Sequence, residues 1–269
     1  MIKQKNKILF NVDESIGKLS PHMFGANLEH IGEAIYKNGV WAEVIENRKF
    51  CGPDKLIWEN GLNDDHLDFG IIKPWKGCNP SAQHVMYAHS NSEYIVKGEE
   101  QINRFGSGKQ SQQITIRKKS KTNRGIKQSI NVNFINEEHK FSIMLKGTGQ
   151  KVYIQIGELN FVIKSHTKWF EFKKNIKFND LKTKKTLSIT INSDEIYIAN
   201  CSLMPKNTIF GFRKDVTKLI QQWLPSYIRW PGGNYLSGYN WFNGVGNKNY
   251  RLPFYDYAWY EWENNDVGT

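Results

Sequence analysis

Lys140-Phe141-Ser142-Ile143-Met144-Leu145 carries large apolar residues at every second position, and after a glycine-containing break Val152-Tyr153-Ile154-Gln155-Ile156 does the same. A period of two puts Phe141, Ile143 and Leu145 on one strand face, and Val152, Ile154 and Ile156 on another, which is the pattern of half-buried strands. Working outward, similar stretches run over Gly125–Val132, Trp169–Phe172, Leu187–Ile191 and Glu195–Ile198, separated by polar turns. Short strands repeated at roughly 8–12-residue spacing predict an antiparallel β-sandwich over about residues 69–205.

The texture changes on both sides of this region. Ile8–Val12 reads as a short strand, and Met23–Leu28 reads as a buried strand ending near Glu29. Trp41, Val44 and Ile45 then recur at helical spacing and predict a helix over Trp41–Arg48. Beyond the sandwich, Val216, Leu219, Ile220, Trp223 and Leu224 follow i, i+3, i+4, i+7 and i+8, the apolar stripe of a core-facing helix, which Pro225 stops. Tyr227–Trp230 is the next strand, and it runs into Pro231-Gly232-Gly233-Asn234, where two glycines permit an unusual backbone path. The fold class is therefore α/β plus all-β, in which a sandwich (69–205) interrupts β/α units at 1–68 and 206–269.

The chain has 37 Lys+Arg against 26 Asp+Glu, a formal charge of +11, so its distribution matters for any nucleic-acid reading. Residues 71–200 hold 22 basic and 10 acidic residues, so the excess belongs to the sandwich region alone. The densest run, Arg117-Lys118-Lys119-Ser120-Lys121, is lysine-rich and carries no nucleic-acid-binding signature, and it reads as a solvated face. Met1–Gly17 lacks an apolar run long enough for a signal-peptide core, and no stretch approaches the ~20 apolar residues of a membrane span. A cytoplasmic protein is expected, with neither nucleic acid nor membrane as partner. Cys51, Cys78 and Cys201 are widely spaced and odd in number, so they read as reduced and structural.

Several motifs resemble glycoside hydrolase family 51 α-L-arabinofuranosidases. Ser20–Gly32, with Phe24-Gly25-Ala26-Asn27-Leu28-Glu29-His30 at its centre, looks like that family's first barrel strand, and Trp41-Ala42-Glu43 with Asn47-Arg48-Lys49-Phe50 looks like the helix after it. Ser202–Pro205, Phe212–Val216, Ile228–Tyr235, Ser237–Trp241, Tyr255–Trp259 and Asn265–Thr269 follow in family order. The resemblance implies the N-terminal part of a (β/α)8 TIM barrel interrupted by a jelly-roll-like sandwich similar to a carbohydrate-binding module. It also implies an arabinose-containing oligosaccharide or polysaccharide as substrate, no metal or organic cofactor, and a homo-oligomeric assembly of the full-length protein.

Active sites of such barrels gather at the C-terminal ends of the strands. Glu29 lies at one of these ends, and the family's matching glutamate accepts from hydroxyls of the arabinofuranosyl ring. Asn234 matches a sugar-contacting asparagine, although asparagine after glycine is also ordinary turn chemistry. Arg229 reads equally as a substrate contact and as a barrel-lining arginine paired with a carboxylate. Trp259 matches a tryptophan that covers the sugar, and packing explains it as well.

A retaining mechanism needs two carboxyl groups about 5–5.5 Å apart. In the family these lie on the fourth and seventh barrel strands, and neither is found here. Removing the roughly 137-residue insert leaves roughly 132 residues, against ~250 for a complete barrel, so an N-terminal fragment is expected. Asn136-Glu137-Glu138 imitates an acid/base motif but sits between two β segments, as a turn would, and Glu261 with Glu263 shares one aromatic loop. The alternative is a non-catalytic carbohydrate-binding protein whose sandwich holds glycans on Trp75 or Trp169, two residues for which core packing is the favoured reading.

Overall fold

Alternation dictates the centre of the chain. The structure, a computed structural model, describes residues 8, 11–15, 17–52, 67–90 and 111–267. In chain order its strands are β1 (Ala26–Asn27), β2 (Lys76–Cys78), β3 (Val85–Ser90), β4 (Ser111–Ile116), β5 (Arg124–Asn131), β6 (His139–Gly147), β7 (Lys151–Ile156) and β8 (Leu159–Lys164). They continue as β9 (Phe170–Ile176), β10 (Lys184–Ile191), β11 (Glu195–Pro205), β12 (Thr208–Ile209), β13 (Phe212–Arg213), β14 (Ile228–Arg229), β15 (Phe254–Asp256) and β16 (Glu261–Glu263). The two α-helices are α1 (Gly32–Ile35) and α2 (Lys214–Trp223).

Two five-stranded antiparallel sheets dominate, in the orders β2-β5-β10-β7-β8 and β3-β4-β11-β6-β9. Their inner faces share one core: Ile126, Ile154 and Ile189 from the first sheet meet Ile114, Ile143 and Ile198 from the second. Along β6, the residues Phe141, Ile143 and Leu145 are buried while their neighbours are more open, as the period of two requires. Each strand read from alternation is present. The edge strand β8 is an addition, joined to β7 by the two-residue turn Gly157-Glu158, in which Gly157 takes φ +58°. A glycine at the first turn position suits the tight hairpin that this connection demands. Asn136-Glu137-Glu138 lies in the turn between β5 and β6, where Glu138 pairs with Lys206 at 2.9 Å.

A second, smaller arrangement joins the flanks. β1 and β14 pair in parallel, with Ala26 opposite Ile228 and Asn27 opposite Arg229, and the backbone bonds extend from Leu28 N to Arg229 O and from His30 N to Pro231 O. Around it Ile35, Trp41 and Val267 pack with Leu28, Phe212 and Trp230. Among the described residues this is the one parallel strand pairing, and no barrel is formed by them.

The helix expected over Trp41–Arg48 is absent. Trp41 bridges antiparallel to Phe212, and the chain then runs as a strap along β11, with Val44 N bonded to Leu203 O and Cys201 N to Arg48 O. Asn47 and Phe50 hold positive φ (42° and 55°), which a continuing right-handed helix does not allow. Trp41 and Ile45 are buried as their spacing indicated, but by an extended segment. The helix near the first strand is instead the single turn α1. In the strand expected over Ile8–Val12, Leu9 and Phe10 lie outside the described residues, while Ile8, Asn11 and Val12 are irregular and exposed.

α2 forms where expected and ends with Leu224 in the left-handed region (φ 48°) before Pro225. Its apolar stripe does not face a core: no residue of the helix is buried, and Leu219 and Trp223 are 61% and 77% exposed. Val216 and Ile220 of the stripe are half-buried, but Leu219, Trp223 and Leu224 stay exposed among the described residues.

Ile189 sits on the central strand β10, opposite Ile126 and Ile154, and is fully buried. Ile189→Ala is expected to cost about 2–5 kcal/mol in urea unfolding, because the two sheets cannot collapse into the space it leaves. A loss under about 1 kcal/mol would place Ile189 outside the core that joins the sheets.

Candidate functional site

β1 delivers Glu29 two residues beyond its end, and β14 brings Arg229 beside it. Glu29 Oε1 accepts a hydrogen bond from Asn27 Nδ2 at 2.9 Å and lies 3.6 Å from Arg229 Nη1, which also donates to Asn27 Oδ1 at 3.4 Å. The other carboxylate oxygen faces the glycine turn. Gly232 and Gly233 have φ of +68° and +61°, and a Cβ on Gly233 would lie 2.8 Å from Glu29 Oε2. Only glycine permits both that backbone conformation and that approach. Asn234 follows at once, exposed, opening a 3₁₀ turn over Asn234–Ser237. Glu29, Arg229 and the Asn234 turn therefore meet at the end of one parallel strand pair. The Glu29 side chain is 31% exposed and that of Arg229 54%, so the group is open to a solute. A carboxylate held by an amide and a guanidinium can accept from neighbouring hydroxyls, the chemistry of sugar recognition.

Trp259 is elsewhere. It lies half-exposed in the turn between β15 and β16 and lines a cleft of about 380 Å³ together with Glu43, Lys73, Tyr260 and Glu263. Glu29, Arg229 and Asn234 do not line that cleft. Glu43, on the strap, is buried and accepts from Ser202 Oγ at 2.5 Å and Leu203 N at 2.7 Å. Burial raises its carboxyl above the ordinary range, against the opposing charges of Lys248 and Arg48.

The strap's strongest tie is ionic. Arg48 donates from Nε and Nη2 to the two carboxylate oxygens of Asp266, at 2.6 and 2.5 Å, and Lys49 Nζ lies 3.5 Å from the same carboxylate. All three are buried. Burial by itself would raise the Asp266 carboxyl, but the charges of Arg48 and Lys49 overcome it and hold the group at about 2. Burial also pushes the Lys49 ammonium down to about 7, opposed by Asp266. The motifs quoted above contain these residues, yet their pairing across 218 positions has no local signal.

The sandwich tryptophans fare differently. Trp75 is fully buried, stacks on Phe50 at 5.1 Å and donates from Nε1 to Asn47 O, so it cannot serve as a glycan platform. Trp169 is partly buried. The cysteines are free thiols, with Cys51 and Cys201 buried. No helix among the described residues is long and apolar enough to cross a membrane.

No family model matches the chain. Solved structures overlap its sheets loosely. The C-terminal family 22 carbohydrate-binding module of Clostridium thermocellum Xyn10B is 10% identical, with a TM-score of 0.35, over 59% of this chain and 99% of that one. A CBM4 structure is 13% identical, with a TM-score of 0.34, over 36% and 72%. At such scores the overlap defines neither a shared fold nor a ligand.

Sequence relatives are more informative, and their class is glycoside-cleaving. The chain is 54% identical over 59 residues to intracellular exo-α-(1→5)-L-arabinofuranosidase 1 of Bacillus subtilis, and 49% identical over 59 residues to the intracellular exo-α-(1→5)-L-arabinofuranosidase of Halalkalibacterium halodurans. Probable α-L-arabinofuranosidase C of Aspergillus niger is 39% identical over 74 residues. The resemblance to arabinofuranosidases carried by the motifs is thus borne out. Each bacterial match covers 22% of this chain and 12% of the relative, so the chain shares a short stretch with much longer proteins.

Asp266 tests the ionic tie. Its folded carboxyl lies at about 2, below the ordinary 3.8, so the stability it contributes is present above about pH 4 and lost as pH falls toward 2. Asp266→Asn leaves Arg48 and Lys49 buried without their anion and is expected to cost about 3–5 kcal/mol at pH 7. The variant should also lose less stability than the parent between pH 4 and pH 2. Urea unfolding across pH 2–7 checks both, and equal stability at pH 7 would refute the tie.

Proposed function

We propose that this chain carries the sugar-binding part of a retaining α-L-arabinofuranosidase of glycoside hydrolase family 51, acting on terminal α-L-arabinofuranosyl groups of arabino-oligosaccharides. The observation that carries the reading is Glu29, held at the end of a parallel strand against Gly232-Gly233 with Arg229 beside it, in a chain up to 54% identical to arabinofuranosidases over the matched stretch. On this reading Glu29 accepts from ring hydroxyls and the Asn234 amide donates and accepts beside it, while Trp259 stays on its own cleft. Arg229 positions Glu29. The acid/base and nucleophile belong to further barrel strands. An intracellular setting is supported by the names of the two bacterial relatives.

The same reading makes β1 and β14 neighbouring strands of a (β/α)8 barrel and residues 69–205 a jelly-roll-like insertion between them, flanked by 1–68 and 206–269. The parallel register of β1 on β14 supports it, since parallel neighbours require a crossover connection. Limited proteolysis should then leave a resistant product containing residues 111–205 after the flanks are cut. Digestion of the sheets as fast as the flanks would sink the division.

In the enzyme that contains these residues, Glu29→Ala is expected to lower kcat/KM for an aryl α-L-arabinofuranoside about 10- to 100-fold, the worth of a hydrogen bond to a charged group. Asn234→Ala should act in the same direction, and Lys119→Ala, on the solvated face, should change nothing. A polypeptide of the 269 residues alone should show no turnover above background. Unchanged kinetics in Glu29→Ala would remove the carboxylate from the sugar site.

A further inference from the structure

The sugar reading leaves unused a buried constellation one residue beyond Glu29. His30 follows β1, Asp256 ends β15 and Glu263 ends β16, and they are 1%, 0% and 3% exposed. One ligating atom from each lies within 4.8 Å of the other two. Two segments that are distant in sequence, the end of β1 and the β15–β16 hairpin, thus converge one nitrogen and two carboxylates on a single buried point.

The imidazole supplies a second, independent observation. His30 Nδ1 lies 2.9 Å from Glu263 Oε2, close enough for a hydrogen bond, yet neither ring nitrogen of His30 makes a directed one. Two atoms at this separation whose donor and acceptor directions miss each other stand in the relation of two ligands on one ion. Ligands bonded at about 2.0–2.1 Å and roughly 90–110° apart lie about 2.9–3.4 Å from one another. Burying a polar nitrogen without a directed partner is costly, so something must compensate it.

The surroundings fit a cation. Tyr235 stacks on the His30 ring at 4.1 Å, and Tyr36 and Trp230 pack against it, which fixes its orientation. Asp256 Oδ1 accepts from Ala258 N at 2.8 Å and Trp259 N at 3.3 Å, so the backbone of the Trp259 turn orients that carboxylate, as outer contacts do in metal sites. Glu263 also lines the 380 Å³ cleft, which offers a path from solvent.

We propose that His30, Asp256 and Glu263 bind one divalent first-row cation, of the class of Mn²⁺ or Zn²⁺. One imidazole and two carboxylates suit a hard to borderline ion and leave positions for water. The ion is structural: it pins the β15–β16 hairpin, and the Trp259 turn it carries, to the end of β1. The proposal does not depend on the sugar reading, because its readouts are binding and stability.

The test uses the purified chain, stripped with chelator and titrated calorimetrically with MnCl₂ and with ZnSO₄. One ion per chain is expected, with a rise in thermal midpoint that chelator reverses. His30→Ala and Glu263→Gln should each weaken binding at least about 100-fold, since even outer-shell losses cost 10- to 100-fold. Should either variant fail to fold, the parent protein decides: substoichiometric Mn²⁺ should broaden the ring signals of His30 before those of the other six of its seven histidines. Absence of stoichiometric binding, full binding in both variants, or His30 signals unaffected by Mn²⁺ would each overturn the assignment.

Discussion

The clamp of Arg48 on Asp266 holds the flanks together. Residue 48 lies on the strap that crosses the last sandwich strand, where its carbonyl accepts from Cys201 N, while residue 266 follows the β15–β16 hairpin. Two parallel, charge-assisted bonds in a buried setting fix distance and direction at once. Lys49 adds to the same end, donating from Nζ to the carbonyls of Arg251 and Asn264. Removing the cation or the anion would leave the other buried charge uncompensated, so the arrangement is stable only when complete. Asp266 also lines the 380 Å³ cleft together with Trp259 and Glu263, so the clamp is tied into one wall of it.

How much of this could be read beforehand follows from the range of each interaction. Alternation is local, so β5, β6, β7, β9, β10 and β11 were legible from their own side chains. β8 escaped because Leu159-Asn160-Phe161-Val162-Ile163-Lys164 follows β7 after only two residues, and a two-residue turn leaves little punctuation. The strap departs from the helix expected over Trp41–Arg48 for a physical reason. Burial of Trp41 and Ile45 produces the same three-to-four spacing whether a helix or an extended segment buries them, and the positive φ at Asn47 and Phe50 that decides the matter accompanies contacts with residues 26 and 39 positions away, Asn47 Nδ2 with Lys73 O and Phe50 O with His89 Nε2.

The site divides along the same line. Glu29, Arg229 and Asn234 stand in recognisable motifs, and the structure brings Glu29 and Arg229 within 3.6 Å, with the Asn234 turn following Gly233. Trp259 stands in such a motif as well but lies on the cleft instead. The contacts of His30 with Glu263 and of Arg48 with Asp266 join residues more than 200 positions apart, and one sequence holds no record of such pairing.

Parallel strands ordinarily have both faces covered, and here they do not. Phe24, Tyr227 and Ile228, on and beside the β1–β14 pair, are 68%, 51% and 45% exposed, and the stripe of α2 is open as well. The sandwich shows the opposite state, with every central apolar side chain of β6, β7 and β10 enclosed between its own sheets. An exposed apolar surface of this kind gains nothing from water and would be stabilised by any apolar face laid over it. On the barrel reading that face is the next β/α unit, which would cover the outer side of β14 and the stripe of α2 together. The sandwich asks for no such neighbour, so the cost of leaving surface uncovered falls wholly on the part of the molecule that holds Glu29.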